Sequence, residues 1–94
     1  MLYIDIVIER LDTSPEPERT LREAGFRPSP WSAGPGAIFG RHHHPRPKRL
    51  YVLEGAISFD GLGLEAGEGI RIPAGMEHSA VAGDAGVSCV EAFE

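Results

Sequence analysis

The sequence predicts an all-β fold, a small antiparallel sandwich or barrel that follows a short N-terminal strand and a helical turn. From residue 36 onward, short runs of β-branched and aromatic residues alternate with Gly, Pro and Asp-Gly turns. Twelve Gly and eight Pro in 94 residues fit short strands joined by tight turns. The strands predicted in this part of the chain are 36–44, 48–54, 56–60, 62–65, 69–72, 77–82 and 86–93.

The N-terminal part contains the predicted first strand and the only helix signal. Residues 2–11 are rich in Ile and partly alternate, which predicts a strand able to pair with its own sheet or with a neighbouring subunit. Thr13 or Ser14 can cap a helix, and acidic residues follow near its positive end. One or two helical turns should then end at Gly25.

Residues 26–35 contain three prolines and are predicted to form an extended connection. Trp31 in this connection is expected to cover a barrel end or an inter-subunit surface. We therefore divide the chain into an N-terminal segment, residues 1–35, and a barrel, residues 36–94.

Composition and charge argue against several classes of function. The chain is 41% hydrophobic and 24% charged, which is ordinary for one small globular domain. Its net charge of −5 argues against a general nucleic-acid-binding protein, because neutralising phosphates requires a basic surface. Arg41, Arg46, Lys48 and Arg49 nevertheless predict one locally basic end, with the two later arginines at a rim.

The expected location is cytoplasmic. No apolar run approaches the roughly 20 residues of a membrane span, so we expect no membrane partner. Asp5 and Glu9 interrupt the N-terminal apolar stretch, which is unlike a signal peptide. Cys89 is the single cysteine and fits a reducing compartment. We expect it to be a small buried hydrophobe rather than a reactive thiol.

Three of the four histidines are consecutive, which raises the question of a metal site. Strand side chains alternate, so His42 and His44 share one face with Ile38 and Gly40, whereas His43 takes the other face. Neutral imidazoles at i and i+2 suit zinc, nickel, iron(II) or copper. A histidine run beside Arg and Pro is also typical of a solvated turn, so strand parity alone leaves both interpretations open.

Two stretches of the chain resemble the motifs of the cupin family, whose fold is a small jelly-roll β-barrel. The first motif (Gly, five residues, His-x-His, three or four residues, Glu, six residues, Gly) is matched by Gly36, His42, His44 and Gly55. The second motif (Gly, five residues, Pro-x-Gly, two residues, His, three residues, Asn) is matched by Gly67, Pro73, Gly75 and His78. The resemblance covers residues 36–82 and implies a cupin-type jelly-roll barrel.

The resemblance implies that His42, His44 and His78 bind a divalent transition metal such as Zn, Fe, Ni, Mn or Cu. Two positions depart from the family pattern: Lys48 replaces the metal-binding glutamate and Ala82 replaces the final asparagine. A protonated lysine has no lone pair and repels a nearby cation. The metal site is therefore expected to consist of three histidines.

Lys48 has three possible arrangements. Parity places it in phase with Leu50 and Val52, toward the barrel interior. It can turn its ammonium to solvent and leave a three-histidine metal, it can pair with a bound anion, or it can stand in a metal-free polar pocket. Met76 and Phe39 are candidates to line a ligand pocket with Lys48, although core packing explains both equally well.

These observations favour a small cupin-type protein in which a three-histidine metal site beside a lysine binds a small anionic molecule. The alternatives are a metal-dependent enzyme of dioxygenase or isomerase type and a metal-free binding or structural barrel. The sequence offers no clear general acid or base near the histidines, since Glu77 faces away from its neighbour His78. The N-terminal strand and the need to protect a sheet edge predict a homodimer.

Overall fold

The computed structural model describes residues 7–94, which form one antiparallel seven-stranded sheet and one short helix. The elements are β1 Glu9–Leu11, α1 Pro17–Glu23, β2 Ser29–Ala33, β3 Ile38–His42, β4 Lys48–Phe59, β5 Leu62–Glu65, β6 Gly69–Ile72 and β7 His78–Phe93. The predicted all-β class, with its short N-terminal strand and helical turn, is confirmed. Residues 2–6 of the predicted first strand lie outside the described residues. No helix within residues 7–94 is both long and apolar enough to cross a membrane.

Two long bent strands, β4 and β7, build both halves of the barrel. The first part of β4 pairs with β6 and with the end of β7, whereas its last part pairs with β5 and with the beginning of β7. The sequence predicted each long strand as two, because Gly55 and Gly83 are turn residues. Gly55 instead bends β4 with φ +78°, at a shift in its register against β7. A side chain there would meet the carbonyl oxygen of Gly86.

The predicted connection 26–35 contains a strand. Residues 29–33 form β2, which pairs with β7 from Ser29 opposite Glu91 to Ala33 opposite Val87. Pro30 does not prevent pairing, because β2 lies at the edge of the sheet order β1-β6-β4-β7-β2 and an edge strand can leave an N–H position unused. Trp31 packs edge-on against Phe39 at 5.4 Å and against the barrel core.

The two faces of β4 and β7 pack against different clusters. Leu50 and Cys89 are fully buried in the larger cluster inside the barrel, which brings together eleven buried residues from β4 to β7. Tyr51 and Val90, on the opposite faces, pack with Leu21 of α1 in a second cluster. Burial raises the pKa of the Cys89 thiol to about 12, as expected of a small buried hydrophobe.

Acidic groups offset the predicted basic end. Arg71 and Arg49 donate to the Glu94 carboxylate at 2.6 and 2.8 Å, and Arg46 donates to the Glu94 carbonyl oxygen at 2.8 Å. Hydrogen bonds from Arg71, and then from Arg49, lower the pKa of Glu94 to about 2. Arg46 and Arg49 therefore interact with Glu94, and neither lines the cavity described below.

Candidate metal centre

Strands β3 and β7 bring the three predicted metal-binding histidines together. His42 pairs directly with His78, and their ring centroids are 4.4 Å apart. His44 lies two residues beyond β3, with its ring 4.8 Å from that of His42 and 5.2 Å from that of His78. The candidate ligand nitrogens of the three residues all lie within 4.8 Å of one another, where one metal ion could be held. His43 is exposed on the other side, as parity predicted.

A β-bulge in β3 decides which residues share the histidine face. Phe39 pairs with Ala80 and His42 pairs with His78, so β3 uses three steps where β7 uses two. The extra residue brings Phe39 into phase with His42 and leaves Ile38 78% exposed. The prediction that Ile38 shares the face of His42 is wrong, because strict alternation does not continue through a bulge.

Backbone carbonyls orient two of the imidazoles. His42 Nδ1 lies 2.7 Å from the carbonyl oxygen of Gly40, and His78 Nδ1 lies 2.9 Å from that of Met76. Because a carbonyl only accepts, each Nδ1 must carry the hydrogen, and each neutral ring keeps its lone pair on Nε2. Metal-binding histidines are commonly held in this way, with the second nitrogen bonded to a carbonyl or carboxylate.

Two ring nitrogens of the triad are buried without a hydrogen-bond partner among the described residues. They are the Nε2 atoms of His44 and His78. A buried polar atom without a partner costs about 1–3 kcal/mol of stability, so native structures rarely leave one. A divalent cation held by His42, His44 and His78 would occupy these lone pairs, and imidazole nitrogen is a preferred donor for several transition metals. The residues present therefore fit a metal ion.

Burial keeps the imidazoles of His44 and His78 neutral by lowering their pKa values. It is the largest cause of the low pKa of His44, about 4 against an ordinary 6.5, and repulsion from Lys48 and then from His42 adds to it. Burial also lowers the pKa of His78, against the opposing effect of its hydrogen bond to Met76. Because only a neutral imidazole can donate its lone pair to a metal, these two ligands are available at neutral pH.

Lys48 lies inside the barrel, as its parity predicted, and is 8% exposed. Its Nζ donates to Oε1 of Glu91 at 3.4 Å and lies 5.7 Å from the centre of the Phe93 ring. The ammonium therefore does not turn to solvent, and a carboxylate of the same chain is its partner. Of the three arrangements suggested for Lys48, the one with its ammonium turned to solvent is therefore wrong, and the pairing with Glu91 is one that the sequence did not suggest.

A cavity of about 350 Å³ lies beside the histidines. Its walls are mainly aromatic and aliphatic, with two triad histidines and one ion pair: Trp31, Ser32, Phe39, His42, Lys48, Ile57, Phe59, His78, Ala80 and Glu91. Of the predicted ligand-binding residues, Lys48 and Phe39 thus line the cavity. Met76 is not among the lining residues; its carbonyl orients His78 and its side chain packs against the barrel core.

Sequence reasoning missed Glu91, a carboxylate in the cavity. On β7 it continues the inward series of Val87 and Cys89, and it lies opposite the inward Leu50. The alternation was hard to interpret because Val90, on the opposite face, is equally apolar and is buried by α1. The sequence signal that could have placed Glu91 inside the barrel is its two-residue spacing from the buried Cys89. The expectation that no acid or base lies near the histidines is therefore wrong.

Comparison with known proteins identifies the family. A family model described as "Cupin domain" matches residues 31–93. Among solved structures, an RmlC-like cupin from Shewanella frigidimarina is 26% identical with a TM-score of 0.62, over 72% of this chain and 64% of that one. The polyketide cyclase RemF from Streptomyces resistomycificus is 26% identical with a TM-score of 0.63, over 72% of this chain and 54% of that one.

A third structure supports the fold alone. A DUF861 family protein from Thermotoga maritima is 17% identical with a TM-score of 0.68, over 94% of this chain and all of that one. The chain spans less than two thirds of the length of the Shewanella and Streptomyces proteins. No curated protein sequence matches the chain.

Proposed function

The chain belongs to the cupin family, and on that premise we propose that it holds one divalent metal ion and binds a small anionic molecule beside it. The metal ligands are His42, His44 and His78. The observation that carries the proposal is the convergence of three imidazoles within 4.8 Å, two of which have a buried and unpartnered Nε2. When bound, the metal would supply a Lewis acid with positions open to an oxygen ligand.

The adjoining cavity supports a small-molecule ligand. Its volume of about 350 Å³ lies in the range of small-molecule sites, and such sites combine apolar walls with few polar groups. Phe39 and Trp31 supply aromatic wall, and Lys48 supplies the cationic donor. We propose an anionic ligand because both the metal and Lys48 favour negative charge, even though Glu91 offsets part of that preference.

Metal content tests the first half of the proposal. Protein expressed without a histidine tag, loaded with zinc and passed through a desalting column, should retain close to one equivalent by elemental analysis. The His78→Ala variant should lose it, whereas His43→Ala should retain it, because His43 is the exposed neighbour outside the triad. Less than about a tenth of an equivalent in the wild-type protein, for zinc and for other transition metals, would support the metal-free barrel instead.

A thermal-shift screen of small carboxylates and phosphates tests the second half. Binding of a ligand to the folded protein raises Tm in proportion to the logarithm of its concentration. Lys48→Met should reduce the shift for anions more than for neutral compounds of the same size. Equal shifts for both kinds of compound would argue against the anion preference and leave the metal site unaffected.

Glu91 favours a metal-dependent enzyme as the second candidate function. A carboxylate in the same cavity as two triad histidines is a possible general acid or base, with an ammonium beside it. The likeness to a polyketide cyclase supports this second candidate without naming a substrate. Turnover of a ligand found in the screen, abolished by Glu91→Gln with metal and ligand still bound, would favour the enzyme over the binding protein.

We also propose a homodimer in the cytoplasm. Strand β1 pairs only with β6 among the strands of residues 7–94, so its other edge has backbone groups free for a second copy. The free and buried Cys89 supports a reducing compartment. Sedimentation at micromolar concentration should show a species of twice the 10.1 kDa chain mass, and a monomer alone would contradict the dimer.

A further inference from the structure

We infer that Glu91 supplies the negative charge that the family pattern takes from a glutamate at the position of Lys48. The Glu91 carboxylate neutralises the Lys48 ammonium and so allows the triad to hold a divalent ion. This inference rests on the proposed metal site. Glu91 is a positioning residue in this account, because it acts through Lys48 and the local charge rather than by contacting the metal. The metal-competent cluster comprises the three histidines without it.

The register of β4 and β7 places the two side chains on one face. Lys48 pairs with Phe93, and Leu50 pairs with Glu91, so Lys48 and Glu91 are diagonal neighbours two residues apart along β7. Long side chains can bridge such a diagonal. The side chains of Lys48 and Glu91 are only 10% and 16% exposed, and Nζ and Oε1 lie 3.4 Å apart.

Lys48 needs a nearby negative charge if a metal is to bind. It lines the same mainly apolar cavity as His42 and His78, so its positive charge repels a cation held by the triad. Among the residues that line this cavity within the described part of the chain, Glu91 alone carries a carboxylate.

The charge balance follows from these positions. Lys48 and Glu91 together contribute no net charge beside the three histidines, whereas Lys48 alone would contribute one positive charge. The family pattern obtains its negative charge from a metal-binding glutamate at the lysine's position. Here the carboxylate comes from β7 and compensates a lysine instead of binding the metal.

Zinc affinity of three variants tests this inference. Each folded, untagged protein competes for zinc with a chromophoric chelator at pH 7.5, and unfolding curves without metal are recorded in parallel. Glu91→Gln should weaken zinc binding by at least about tenfold, because the buried ammonium is then uncompensated. Lys48→Met should strengthen it by a similar factor, since it removes the cation and keeps the carboxylate. The double variant should return to within about threefold of wild type.

The double variant keeps the test decisive if Glu91→Gln alone does not fold. Replacing a buried ion pair with two neutral side chains of similar size is commonly tolerated, so the double variant should fold. Lys48→Met leaves the partly exposed Glu91 carboxylate unpaired, and bound zinc supplies the compensating positive charge when the two variants are compared. The loss of the carboxylate between these two should again lower zinc affinity by about tenfold.

Failure of the Glu91 inference can be distinguished from failure of the proposed metal site. If the wild-type protein binds zinc, and Glu91→Gln changes stability but leaves zinc affinity within about threefold in both backgrounds, Glu91 is only structural and the inference is wrong. If the wild-type protein binds no transition metal, the proposed function itself fails.

Discussion

Acid should destabilise the metal-free protein in a pH range set by His44. The pKa of its imidazole is about 4 in the folded protein against 6.5 in an unfolded chain, mainly because of burial. Between these values the unfolded chain binds a proton that the folded protein excludes, so the free energy of unfolding falls as pH falls. From about pH 7.5 to about pH 5, the linkage relation gives a loss of at most about 2 kcal/mol, because partial exposure of the ring screens part of the effect.

Urea unfolding in the presence of EDTA measures this loss. His44→Gln removes this titrating ring, leaves the second buried ring, His78, in place, and should reduce the change in unfolding free energy with pH by most of that amount. His43→Gln makes the same change at an exposed neighbouring ring and should keep the wild-type slope. The Glu94 carboxyl does not interfere, because its pKa of about 2 places its loss of stability below about pH 4.5. Parallel curves for wild type and His44→Gln, within about 0.5 kcal/mol, would refute this account of His44.

Three further predictions concern the site and the scaffold. Lys48→Glu restores the family's carboxylate and should tighten zinc binding at least about tenfold in the chelator competition; unchanged or weaker binding would contradict it. Gly55→Ala should lower the free energy of unfolding, measured in urea, by at least about 2 kcal/mol, because the φ angle of residue 55 is +78° and the new Cβ would meet the Gly86 carbonyl. The control Gly63→Ala adds a Cβ in open space and should change the free energy of unfolding by less than about 0.5 kcal/mol. Cys89 should react with Ellman's reagent only in denaturant, and rapid labelling of the native protein would disprove its burial.

Local spacing predicted that His42 and His44 share a face, whereas His78 entered the predicted triad only through the resemblance to the second cupin motif. The separation of His42 and His44 is fixed by one short segment, and the Pro73-to-Gly75 turn fixes where His78 begins β7. Barrel closure then pairs His42 with His78. Strand parity also placed Lys48 inside and His43 outside. These two predictions hold because no bulge separates Lys48 from Leu50 and Val52, or His43 from His42 and His44.

The features that the sequence did not reveal depend on pairing between distant strands. The bulge between Phe39 and His42 becomes visible only against β7, and it reverses the predicted environment of Ile38. Glu91 joins Lys48 only because the first part of β4 pairs with the end of β7. Composition and alternation do not encode these registers, so the cavity and its ion pair required the folded structure.

X-ray absorption at the zinc edge tests the metal centre most directly. Untagged protein loaded with one equivalent of zinc should show histidine nitrogens at about 2.0–2.1 Å, with multiple scattering that fits three imidazoles. The spectrum of His43→Ala should be identical, and that of His78→Ala should lose one imidazole or the bound zinc. A wild-type spectrum with one imidazole or none, or with oxygen ligands only, would contradict the three-histidine site.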